Sequence, residues 1–193
     1  MIMNKEKKQL RKKYLQERLT LSPLQWQEKS KQICQHLSES LLVSNSKIIL
    51  SYLSFKQEPD LSLLHHDKRK IWGLPRCQGN ELIWHQFTSV NDLEIGKYGI
   101  LEPSTHSPLI YPHQVDLILV PAVGCDRFGY RLGYGGGYYD RLFAQPLWQN
   151  IVRMGIVFDF AYVDKLIKES WDKPLDYICT ESGIKTPIKE QKE

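Results

Sequence analysis

Asp116-Leu-Ile-Leu-Val-Pro-Ala-Val123 is the most apolar segment of strand length in the chain, and it runs into a glycine-dense stretch ending Arg131-Leu-Gly-Tyr-Gly-Gly-Gly-Tyr-Tyr-Asp-Arg141. A short apolar run without polar alternation is the pattern of a strand buried on both faces, as in parallel sheets covered by helices. Working outward, KIILSYL (47–53) and IVRMGIVF (151–158) repeat the pattern, and another strand begins near Tyr177. Helical patterns lie between and before these runs. Leu10, Tyr14, Arg18 and Leu21 put a narrow apolar stripe on a helix from about Lys5 to Leu19. Ser22-Pro23-Leu24-Gln25 reads as a capping box that opens a second helix, from about Pro23 to Leu42, with Trp26, Ile33, Leu37 and Leu41 on its buried face. Leu61, Leu63 and Leu64 suggest a short helix after the turn at Glu58-Pro59-Asp60, and Ala161 to Glu169 reads as helical. Strands at 70–75 and 81–87 meet through Gly79-Asn80, a usable hairpin turn. The alternation predicts an α/β fold: a single three-layer domain spanning residues 1–193, with a mainly parallel sheet and an antiparallel hairpin. The ends, before Lys5 and from Lys185 onward, read as frayed.

With 41% hydrophobic and 25% charged residues, the chain has the composition of a folded globular protein. Cys34, Cys77, Cys125 and Cys179 lie far apart with no Cys-x-x-Cys pair, the usage expected of reduced thiols rather than a structural zinc site. The charged N-terminal segment is not followed by an apolar run, so neither a secretory signal nor a membrane span is expected, and a cytoplasmic location is. The net charge is +4, yet through Arg18 seven basic residues stand against Glu6 and Glu17 alone. A local excess of this kind suits an anionic ligand, either polyphosphate or nucleic acid. On their own, Lys7, Lys8 and Arg11 would read as a solvated helix face.

Five glycines fall between Gly129 and Gly137. Glycine reaches positive φ freely and lets a ligand approach the backbone, so a glycine run that opens a helix can aim amides at an anion. A flexible surface loop is the competing reading. The run is not a Walker A loop, because no Gly-Lys-Ser/Thr follows, and Tyr138 stands where a dinucleotide fingerprint needs glycine. Arg131 and Arg141 bracket it with permanent cations, and Asp140 offers a carboxylate where Mg²⁺ could bridge phosphates. Tyr134, Tyr138 and Tyr139 add flat faces for a heteroaromatic ligand, although Tyr139 fits a core position equally well. His65-His66 lacks metal-ligand spacing to other residues and reads as surface.

The stretch Arg131 to Arg141 strongly resembles the signature of the 5-formyltetrahydrofolate cyclo-ligase family, also called methenyltetrahydrofolate synthetases. Lys7-Lys-Gln-Leu-Arg11, Ser51-Tyr-Leu-Ser-Phe-Lys-Gln-Glu58 and Tyr98-Gly-Ile-Leu-Glu102-Pro103 follow the family's order, so the likeness spans most of the chain. It implies ATP binding by Lys7, Lys8 and Arg11 with Arg131, Leu132, Gly133, Tyr134, Gly135, Gly136, Gly137, Tyr138 and Tyr139. It also implies folate binding by Leu53, Glu58, Tyr98, Tyr134 and Tyr138, Mg²⁺ carboxylates at Asp140 and Asp172, and catalytic roles for Arg131 and Tyr138. Some relatives carry basic residues inside the run where this chain has Tyr134 and Gly136, so phosphate contacts there fall to backbone or to the N-terminal helix. The implied reaction uses ATP and Mg²⁺ to close 5-formyltetrahydrofolate, which can be polyglutamylated, into 5,10-methenyltetrahydrofolate with release of ADP and phosphate. A monomer is expected, with neither nucleic acid nor membrane as partner. Two other classes compete: a nucleic-acid-binding module that uses the basic helix, and a sugar-phosphate isomerase or transferase without need of ATP.

Overall fold

The computed structural model describes residues 2–189 of the chain. Two N-terminal helices, α1 (Ile2–Leu19) and α2 (Pro23–Glu39), precede a short α3 (Leu41–Asn45) and the first strand, β1 (Ile48–Leu50). The capping box forms as the sequence suggests: Gln25 N donates to Ser22 Oγ (3.2 Å) and Ser22 N to Gln25 Oε1 (2.9 Å). The second helix stops short of Leu42 because Ser40 takes an extended conformation and accepts from Val43 N (3.2 Å), which starts α3 instead. At the ends, α1 includes Ile2 and Lys185 closes a strand, with residues 186–189 in no regular element; residues 1 and 190–193 lie outside the described part.

The hairpin consists of β2 (Ile71–Gln78) and β3 (Glu81–Phe87), turning at Gly79 with φ +60°. A small antiparallel pair follows, β4 (Leu93–Ile95) and β5 (Leu101–Pro103). The apolar run forms β6 (Leu117–Pro121). Next come β7 (Gly124–Asp126), β8 (Arg131–Leu132), α4 (Tyr138–Ala144), β9 (Val152–Ile156), β10 (Tyr162–Val163), β11 (Tyr177–Thr180) and β12 (Gly183–Lys185). Seven strands form one sheet in the order β12-β11-β9-β6-β1-β2-β3, parallel except where β12 and β3 add antiparallel edges. The register at its centre is pinned by Asp116, whose carboxylate accepts from Lys47 N and Ile48 N at 2.7 and 2.8 Å.

Alternate residues of the central strands face opposite layers. Ile49, Leu117, Leu119, Met154 and Cys179 pack with Ile33 and Leu37 of α2, while Leu50, Ile118, Val120 and Ile178 pack with Tyr14 of α1 and with Leu142 and Phe143 of α4. Full burial of one such aliphatic side chain is worth about 1.5–3 kcal/mol, and these are essentially inaccessible to water. Two cores on one sheet give the three layers that the alternation predicts.

The expected helix from Ala161 to Glu169 does not form. Its backbone is drawn onto a three-stranded sheet, β10-β7-β8: Arg127 N donates to Val163 O (3.1 Å) and Leu166 N to Asp126 Oδ2 (2.8 Å). The helix expected near Leu61 is a single tight turn, Leu64–His66. His65 within it is buried rather than surface, its ring edge-on to Trp72 and Phe87 and its Nε2 3.0 Å from Ser51 Oγ. Apolar surroundings disfavour the imidazolium and push this histidine down to about 4.

Candidate active site

The chain leaves β1 toward β2 on one side of the sheet, and later enters β6 on the other side. Segments following β1 and β6 therefore diverge at the carboxyl ends of neighbouring parallel strands, the place where such sheets open a crevice. A cavity of about 820 Å³ lies there. Tyr52, Leu53, Phe55 and Glu58 line it from beyond β1, Pro121 from the end of β6, and every residue from Arg131 to Asp140 from farther along the chain. Tyr98 precedes β5 and Glu102 lies within it, Lys7 and Arg11 project from α1, and Asp172 comes from the segment before β11. Every site residue expected from the sequence lines this cavity except Lys8, which is exposed on α1, and Arg141.

Side chains seat the glycine run from both ends. Arg11 Nε donates to Gly133 O (2.8 Å), and Arg141 donates from Nε to Asn80 O (2.8 Å) and from Nη2 to Gly136 O (2.9 Å). Arg141 is thereby committed to tying the run to the β2–β3 hairpin rather than facing an anion. Gly135 and Gly137 adopt φ of +102° and +69°, where a side chain would be strained. Arg131 reaches Asp140 Oδ1 at 2.6 Å and lies over the Tyr139 ring at 5.2 Å, while its buried Nε has no partner among the described residues. Tyr139 packs against Trp84 and Phe143, as its core reading expects, and also lines the cavity. At the rim, Lys97 Nζ donates to the Tyr138 hydroxyl (2.9 Å), which lies 3.2 Å from the Tyr98 hydroxyl.

Glu58 is only 3% exposed. Phe55 N donates to its Oε2 (3.1 Å), its Oε1 has no partner among the described residues, and Trp26 Nε1 and Ser54 Oγ hold its carbonyl. Burial pushes the carboxyl up to about 7, and the charge of Arg18, the Phe55 amide and the Tyr134 hydroxyl pull it partly back. Arg18 was not singled out as a site residue by the sequence. A signal was present, because a permanent charge sits on the otherwise apolar stripe of α1, four residues beyond buried Tyr14.

The two carboxylates expected to hold Mg²⁺ are already paired with cations: Asp140 with Arg131, and Asp172 with Lys7 Nζ at 2.8 Å. Among the described residues no group of three metal-ligating side chains occurs. That donor set still fits Mg²⁺, which keeps several waters and is usually held by one or two carboxylates together with substrate phosphates. The four cysteines are unpaired, and among the described residues no helix is long and apolar enough to cross a membrane.

A family model, that of the 5-formyltetrahydrofolate cyclo-ligase family, matches residues 3–181. The chain is 30% identical over 179 residues to the 5-formyltetrahydrofolate cyclo-ligase of Escherichia coli K12, covering 88% of this chain and 97% of that one. It is 28% identical over 183 residues to the Haemophilus influenzae protein of the same name, covering 90% and 97% respectively. Among solved structures, the 5,10-methenyltetrahydrofolate synthetase of Aquifex aeolicus superposes with a TM-score of 0.84 at 33% identity, covering 97% of this chain and 95% of that one. The Mycoplasma pneumoniae synthetase gives 0.73 at 25% identity, covering 91% and 98%. A signature run that lines the cavity, a sheet that opens there, and a likeness running nearly end to end lead to one conclusion: this chain belongs to the 5-formyltetrahydrofolate cyclo-ligase family.

Proposed function

We propose that the protein closes 5-formyltetrahydrofolate to 5,10-methenyltetrahydrofolate with consumption of ATP and release of ADP and phosphate, in a Mg²⁺-dependent reaction. In this reading it acts as a single domain, monomeric and cytoplasmic. One observation carries the proposal: a single cavity gathers a buried carboxylate with an acceptor oxygen unpartnered among the described residues, a glycine run with the permanent cation Arg131 at its edge, and two basic residues of α1.

The formyl oxygen on N5 attacks the γ-phosphorus of ATP and the bond to ADP breaks. N10 then attacks the carbon of the resulting imidate phosphate, the C–O bond to phosphate breaks, and the N10 proton is lost. No protein nucleophile is required, so the demands are in-line positioning and relief of phosphate charge. Arg131, with Nε and part of its fork unspent, offers donors to the transferring group. Lys7 and Arg11 bring charge to the triphosphate, the glycine run offers backbone amides, and Glu58 Oε1 accepts from the N–H groups of the pterin. Asp140 and Asp172 would hold Mg²⁺, which when bound neutralises phosphate charge. The test is to mix protein, 5-formyltetrahydrofolate and Mg²⁺ and follow the absorbance of the methenyl product. Growth of signal only when ATP is added supports the reading; growth without ATP, or none with it, rejects it.

A further inference from the structure

Arg18 carries a full charge at 3% exposure. It is held from α1 between the two segments that diverge at the crevice. Its Nη1 donates to Ala122 O (3.4 Å) just beyond β6, its Nη2 donates to the Tyr134 hydroxyl, and its guanidinium lies 5.6 Å from the centre of the Tyr134 ring. Its Nε has no partner among the described residues. Tyr134 in turn reaches the other segment: its hydroxyl donates to Phe55 O (3.4 Å), and its ring packs on Phe55 at 6.0 Å. Phe55 N is the donor that orients Glu58 Oε2. A continuous path therefore runs from α1 through the glycine run to the buried carboxylate. Burying a guanidinium costs several kcal/mol unless its partners repay the lost hydration, and an incompletely bonded one is out of place in an inert core.

We propose that Arg18 is a positioning residue of this active site: through Tyr134 it latches the glycine run onto the segment that follows β1, and so holds the Phe55 amide against the Glu58 carboxyl. The inference rests on the function proposed above and assigns Arg18 no contact with either substrate. The titratable groups facing Glu58 are Tyr52 beyond β1, Tyr134 in the glycine run and Tyr139 in α4, each a phenol that burial pushes up and keeps neutral. Arg18 is the charge that opposes the burial of Glu58.

The test compares Arg18→Met, Arg18→Lys and Tyr134→Phe with the unmodified protein. Steady-state kinetics with each substrate varied in turn would be measured across neutral pH, and thermal unfolding would report on the fold. Losing a hydrogen bond to a charged group should lower kcat/KM for both substrates in Tyr134→Phe by roughly tenfold. In Arg18→Met the acid limb of kcat/KM for 5-formyltetrahydrofolate should move to higher pH, and Arg18→Lys, which keeps the charge but not the fork, should return it toward its original position. A purely structural arginine would alter the melting temperature and leave the limb in place. If Arg18→Met does not fold, Arg18→Lys and Tyr134→Phe decide by the same readouts. Unaltered kinetics in Tyr134→Phe together with an unmoved acid limb in the Arg18 variants overturns the inference, whereas an inactive unmodified protein overturns the proposed function instead.

Discussion

Replacing Glu58 with glutamine should abolish the loss of stability that this carboxyl imposes on the protein between acid and mildly alkaline solution, while impairing the protein's work on folate. The carboxyl rises from an ordinary 4.5 to about 7 because burial disfavours its charged form. A group whose folded pKa is raised contributes stability that is complete below its unfolded value and is lost as pH climbs through the folded value. The window here is from 4.5 to about 7. A shift of that size, at 1.36 kcal/mol per unit, corresponds to about 3 kcal/mol of stability surrendered by the ionised group. Glutamine cannot ionise. Its amide oxygen can still accept from Phe55 N, and the unmet donors of its NH₂ at the Oε1 position cost the same at every pH. Urea unfolding of both proteins, at about pH 5 and again at about pH 8, isolates the ionisation as a difference of differences. Glu58→Gln should gain about 2–3 kcal/mol relative to the unmodified protein between the two conditions, while its folate affinity falls and its ATP affinity does not. A stability difference that is the same at both pH values would refute the argument that burial holds this carboxylate at a cost.

Removing a donor that meets charge developing in the transition state commonly costs about 10²–10³-fold in kcat, so Arg131→Ala should fall in that range in steady-state assays. Because Arg131 and Asp140 form one ion pair, the double variant with Asp140→Ala should lose less than the product of the single losses, and strict multiplicativity would separate their roles. Gly135→Ala places a side chain at φ +102° and 3.6 Å from the Arg11 guanidinium, so ATP affinity should drop with folate affinity retained; an unaltered ATP titration would count against the glycine run as the phosphate cradle. Gly155→Ala would bring a methyl 2.6 Å from Leu175 Cδ1 and 3.1 Å from Cys125 Sγ, and overpacking of this kind costs about 1–3 kcal/mol, to be read in denaturant unfolding.

The sheet was legible because a strand buried on both faces disfavours polar residues, so β1 and β6 stand out as unbroken apolar runs and β9 as a run interrupted only by Arg153. The Gly79-Asn80 turn and the Ser22 capping box were legible because local backbone chemistry dictates them. The segment from Ala161 to Glu169 misled for the opposite reason: its local pattern suits a helix, but distant carboxylate and backbone groups of 126–127 claim its polar backbone. β7, β8 and β12 are too short to carry a periodicity of their own. At the site, glycine density and flanking charge marked the run itself, and the cavity encloses it. What spacing could not convey was how donors are spent, with Arg141 tied to carbonyls, Lys8 turned to solvent and Arg18 drawn inward beneath Tyr134. Those outcomes depend on how α1 crosses the sheet, and a single helix period does not encode that.

The central claim is that a triphosphate and a formyl group meet in one cavity closely enough for oxygen to pass from carbon to phosphorus. Label the formyl oxygen of 5-formyltetrahydrofolate with ¹⁸O, run the reaction to completion with ATP and Mg²⁺, and analyse the released phosphate by mass spectrometry. The account predicts that the label leaves the folate in the phosphate, one labelled atom for each methenyl product formed. Unlabelled phosphate, with the heavy oxygen recovered in water, would contradict it.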